Sequence, residues 1–120
     1  MHNPNKIIGG VPDTHEVATA VNSNAVVTLP TPAAGMQWLV LAITISMNGD
    51  PTTAPAFTIA SGAATLERID FPNAACAPYN SRGVYKGLPG TSVVLTLPAL
   101  GTGIRGTVSC RAMLIPAYSA

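Results

Sequence analysis

The sequence predicts an all-β chain: an antiparallel β-sandwich, jelly-roll-like, with about eight strands and an extended N-terminal arm. Three observations carry this. Eleven prolines and eleven glycines punctuate the chain at short intervals. No stretch between them sustains a 3.6-residue apolar period for three turns, which removes helices. What recurs instead is a short run rich in Val, Ile, Thr and aromatics, bounded by Pro, Gly, Asn or Ser, as strands are.

Residues 1–14 are set apart as the arm, because Pro4, Gly9, Gly10 and Pro12 leave only Ile7, Ile8 and Val11 as apolar anchors. Such an arm can add to a neighbour's sheet edge. Residues 15–120 then form a single domain, long enough to bury a core. Its predicted strands run over 16–21, 25–29, 36–47, 56–60, 65–71, 84–88, 92–97 and 104–115. In the long third strand, Leu39, Leu41, Ile43, Ile45 and Met47 share one face at period two and are expected to point into the core. The opposite face starts apolar with Met36, Trp38 and Val40, as in a strand covered on both sides. Trp38 needs an acceptor for its indole N–H wherever it sits. Residues 72–83 read as a long surface loop carrying Cys76, Pro78, Tyr79 and Arg82, and Tyr79 and Arg82 are residue types suited to an interface.

An internal echo is visible. Residues 23–35 read SNAVVTLPTPAAG and residues 92–103 read SVVLTLPALGTG; in each a Val-Val strand stops at Thr-Leu-Pro and a Gly-bearing loop leads into a long strand. Two similar hairpins would lie side by side or face each other.

Charge narrows the function. Asp, Glu, Lys and Arg make up 9% of the chain against 48% hydrophobic residues, and positions 17–49 carry no charged side chain. An isolated soluble domain has roughly a quarter of its residues charged. A surface this poor in charge belongs to a subunit covered by other protein, so a homo-oligomer is expected. The densest apolar run, Met36 to Met47, is broken by polar residues and falls short of the ~20 residues of a membrane span. Residues 1–6, MHNPNK, lack the apolar stretch of a secretory signal. A net charge of +1, with its six basic residues scattered, gives nucleic acid no groove. Cys76 and Cys110 are expected to be buried thiols rather than a disulfide.

No motif carries catalysis. Residues 101–106, GTGIRG, fit G-x-G-x-x-G, but a strand follows where a dinucleotide site needs a helix, and no Asp or Glu occurs after Asp70. Glycines of a hairpin loop explain the match better. Asp13, His15 and Glu16 cluster, yet the only other His is His2 and the cysteines lack C-x-x-C spacing; a solvated strand entrance is the better reading, and no metal or other cofactor is expected. Glu67 and Asp70 flank Arg68 as ordinary ion-pair partners. No G-x-S-x-G elbow is present, and an enzyme is not expected.

The run Val26-Val27-Thr28-Leu29-Pro30 with Pro32 and Gly35, the segment Leu66 to Pro72, and Val93 to Leu97 followed by Gly101 to Gly106 together resemble small β-sandwich virion proteins of tailed bacteriophages, notably head decoration or cement proteins. The likeness spans roughly residues 23–116 and is one of composition and rhythm. It implies a structural protein made in the host cytoplasm that binds the outer surface of the capsid and cements the lattice of the major capsid protein, as a trimer in preference to a dimer, with no catalytic residues to carry over. On this reading Ile7, Ile8, Val11, Tyr79 and Arg82 are the expected contact residues. The alternatives are a tail- or fibre-associated carbohydrate-binding module, for which one Trp, three Tyr and two Phe are few, and a self-assembling coat protein, for which a basic interior face is missing.

Overall fold

A computed structural model describes residues 14–71, 79–81 and 84–117. Among them are nine strands and no helix: β1 (Thr14–Val21), β2 (Ala25–Leu29), β3 (Met36–Met47), β4 (Ala56–Ser61), β5 (Ala64–Asp70), β6 (Tyr79–Ser81), β7 (Tyr85–Lys86), β8 (Val93–Leu97) and β9 (Arg105–Pro116). Two antiparallel sheets pack face to face, as the sequence predicts. One is ordered β1-β9-β3-β6, with β7 also pairing β3, and the other is ordered β2-β8-β4-β5.

Alternation of side chains builds the core between the sheets. Along β2, β4 and β8 every second residue is buried: Ala25, Val27 and Leu29; Phe57, Ile59 and Ser61; Val93, Leu95 and Leu97. From the other sheet come Val108, Cys110 and Ala112 of β9 with Trp38, Val40, Ile43 and Ile45 of β3. The one hydroxyl in this set, on Ser61, is satisfied: its Oγ donates to Ser92 O at 3.1 Å and accepts from Leu88 N at 2.8 Å.

The inward face expected for β3 is correct only in its second half. Trp38 and Val40 are buried while Leu39 and Leu41 are half-buried; beyond that, Ile43 and Ile45 are buried. The pairing with β9 slips between Val40 and Ala42, so Leu41 is an extra residue that reverses which parity faces the core. The bulge lets one continuous strand cover the core with both of its apolar sets. Trp38 donates its indole N–H to Pro30 O at 2.7 Å, tying β3 to the end of β2.

The sequence echo becomes a structural one, with a correction. Neither β2–β3 nor β8–β9 is a hairpin, because each pair crosses from the four-stranded sheet to the five-stranded one. The two arches lie side by side, β2 against β8 and β3 against β9, both antiparallel. Thr-Leu-Pro ends β2 and β8 alike, since Pro30 and Pro98 have no N–H to extend the ladder.

The glycines of residues 101–106 are explained by this crossing. Gly101 has φ 128° and packs its Cα against the Thr52 side chain, a conformation and a closeness that a Cβ would oppose. Gly106, inside β9, is buried where a Cβ would lie 2.7 Å from Leu97 Cδ2. β9 follows directly, a strand where phosphate binding would require a helix.

Candidate interaction surface

With the core accounted for, function rests on what the sandwich shows outward. The outer face of the five-stranded sheet is set by the residues alternating with the core. On β1 these are His15, Val17, Thr19 and Val21, which pair with Arg111, Ser109, Thr107 and Arg105 of β9. Ser109 and Thr107 in turn pair with Thr44 and Ser46 of β3. Short hydroxyl side chains therefore run across three strands: Thr19 Oγ1 lies 3.1 Å from Thr107 Oγ1, and Thr44 Oγ1 donates to Asn80 Oδ1 of β6 at 2.9 Å. Val17 and Val21 stand at the rim of this face, 59% and 50% exposed, and Val26 of the adjoining β2 is also exposed. Small side chains keep the middle of the face low in relief, and at its edge Val17 and Val21 alternate with Thr19, with Arg105 and Arg111 exposed on β9 beside β1.

The opposite flank is chemically different. β5 carries Glu67, Arg68 and Asp70, with Arg68 and Asp70 paired at 3.1 Å in an exposed ion pair, as the sequence leads one to expect. Tyr85 of β7 donates to Glu67 Oε2 at 3.4 Å and bridges the two sheets. Phe71 and Tyr79 meet edge to face with centroids 5.7 Å apart and close the core at this side.

Of the expected contact residues, Ile7, Ile8, Val11 and Arg82 lie outside the described residues, as do Cys76 and Asp13. β1 begins at Thr14, the last position assigned to the arm. Tyr79 opens β6 instead of sitting in a loop, and it is half-buried against the core, so its ring is largely engaged within the chain. Sequence reasoning passed over Val17, Val21 and Val26. For Val17 and Val21 the signal is the alternation of Val and Thr with Ala along 17–21, which sets the larger residues on one face and the alanines on the other.

Nothing in the described residues gathers three or more His, Cys, Asp or Glu side chains into a metal-binding group. Cys110 is a free, buried thiol, and its pKa is pushed up to about 11, first by burial and then by the negative charge of Glu16. It is held neutral, the reverse of an activated nucleophile. Trp38, Phe57 and Phe71 are buried and Tyr79 and Tyr85 half-buried, so no exposed aromatic platform is presented among the described residues.

No protein-family model matches the chain, and no curated protein matches it by sequence. Among solved structures it is similar to a chain of the acidic stable capsid structure of Helicobacter pylori bacteriophage KHP30, at 17% identity and a TM-score of 0.49, covering 91% of this chain and 99% of that one. It is also similar to the CBM36-1 domain of a multidomain xylanase from the hindgut metagenome of Trinervitermes trinervoides, at 13% identity and a TM-score of 0.39, covering 86% of this chain and 78% of that one.

Proposed function

We propose that the chain is a structural virion protein of a tailed bacteriophage that binds the outside of the capsid and stabilises the lattice of the major capsid protein. The observation that carries this reading is the outer face of the five-stranded sheet, whose middle is a low-relief run of Thr and Ser across three strands, with Val17 and Val21 on its edge strand and Arg105 and Arg111 as its exposed charges, fit to lie against protein. The resemblance of residues 23–116 to head decoration proteins points the same way. Among the described residues the aromatics are buried or half-buried, which speaks against the carbohydrate-binding alternative, because sugar rings are held by exposed aromatic faces.

Stabilisation on this reading is mass action: a ligand that binds only the assembled lattice raises its stability by RT ln(1 + [L]/Kd). Contact through apolar and hydroxyl groups responds weakly to ionic strength. Titrating the protein onto undecorated heads of the cognate phage, at low and high salt, and following heat-induced rupture tests this. Protection that saturates and survives high salt is expected. No protection at saturation, or protection that disappears steeply with salt, removes the proposal.

A further inference from the structure

Among the described residues β1 and β2 end the two sheets on one flank, and neither carries the features by which edge strands avoid pairing. From Val17 to Val21 and from Ala25 to Leu29 there is no charged residue, no Pro and no Gly, and the registers with β9 and β8 run without a slip. Lysines, prolines, bulges or very short length normally blunt such edges. An open edge of this kind accepts another strand.

The sequence of β1 says which strand. Residues 17–21 read Val-Ala-Thr-Ala-Val, a palindrome about Thr19. An isologous contact must be complementary to itself under a two-fold axis, and two antiparallel copies of a palindromic strand meet that condition residue by residue. With the axis at Thr19, Val17 of one copy lies opposite Val21 of the other, Ala18 opposite Ala20, and Thr19 opposite Thr19. The exposed valines then cover one another on the outer face, and the alanines, which already lean on the core, continue the inner one.

The geometry points to a two-fold dimer of this chain in which β1 pairs antiparallel with β1 of a second copy about Thr19, joining the two β1-β9-β3-β6 sheets into one continuous sheet. This contact goes beyond attachment to a capsid and stands or falls separately from it, since it is read on the purified protein alone.

Light scattering on the purified chain at tens of micromolar is expected to return twice the 12.2 kDa of one chain. Val17→Lys is expected to raise the dimer dissociation constant by about tenfold or more, because it sets a charge against an apolar partner across the axis. Adding Val21→Glu to it restores the dimer, because each introduced lysine then faces the partner's introduced glutamate in this register and in no register shifted from it. Thr65→Lys on β5, an exposed site on the opposite flank, leaves the mass unchanged. Circular dichroism and the melting temperature confirm that each variant is folded, and Thr19→Lys replaces Val17→Lys should that variant unfold. A wild-type monomer, as when the chain's own first residues cover the edge, overturns the proposal. So does a trimer, a dimer indifferent to a lysine at position 17 or 19, or a double variant that stays dissociated.

Discussion

The two flanks of the sandwich solve the same problem in opposite ways. On one, β5 is lined by Glu67, Arg68 and Asp70, β6 is three residues long and β7 two, and Lys86 stands on β7; charge and shortness deny a further strand its footing. Val84 and Leu88 are exposed there, but singly, on either side of β7. On the other flank β1 and β2 are regular, uncharged beyond Glu16 and rimmed by Val17, Val21 and Val26. Since both flanks close the same core, the difference does not serve folding. Among the described residues one side is protected against company, and the other carries no such device.

The comparison can be tested from the core outward. Leu29 is fully buried at the end of β2, so Leu29→Ala is expected to cost about 3 kcal/mol of stability by chemical denaturation and to loosen the open flank with it. A loss below about 1 kcal/mol would mean that β2 is not anchored as described. Next in size is Cys110, on β9 behind β1. Its folded pKa lies above the ordinary 9.0, so the contribution of the neutral thiol is whole below pH 9 and is lost as pH rises toward 11. Wild type should therefore lose stability across that interval faster than Cys110→Ala, by an amount on the order of 2 kcal/mol, and equal slopes would contradict this. At neutral pH the folded thiol should also resist alkylation until denaturant is added.

Smaller effects separate the flanks further. Trp38→Phe keeps most of the apolar area and removes the indole bond to Pro30 O, an expected loss of about 1 kcal/mol that an unchanged denaturation midpoint would refute. Arg68→Ala breaks an ion pair whose side chains are 64% and 69% exposed, so stability should move by no more than about 0.5 kcal/mol and the mass in solution not at all. A change of oligomeric state on losing Arg68 would mean that the charged flank is also an interface.

Much of the fold is legible locally. The bounds of β2 and β3 follow from Pro, Gly and β-branched runs alone, and the Thr-Leu-Pro echo marks two strands that do pair with each other. What escaped is set by distant partners. Leu41 looks like any other member of the alternation in β3, and only its missing partner on β9 shows that the parity reverses there. Tyr79–Ser81 is too short and too polar to announce itself; Ile43 to Ile45 make it a strand by pairing with it. The open edge was hidden for the same reason, since a charge-free strand reads alike in the middle of a sheet and at its border until the order of strands is known.

One further consequence lies in the register of β1 with β9. Thr14 is opposite Ala112, so the start of β1 and the end of β9 lie at the same end of one antiparallel pair. Tension applied between Thr14 and Pro116 would load the hydrogen bonds of that pair one after another, as a zipper is opened, and never all of them in shear. The sheet should thus yield to an optical trap at low force when held at Thr14 and Pro116, and at distinctly higher force when pulled from Thr14 of β1 against Arg105 of β9, which loads the whole pair in shear. Rupture forces alike in both directions would refute this. The strong direction of this pair runs along its strands, and the end at Thr14 and Pro116 is the place to peel it.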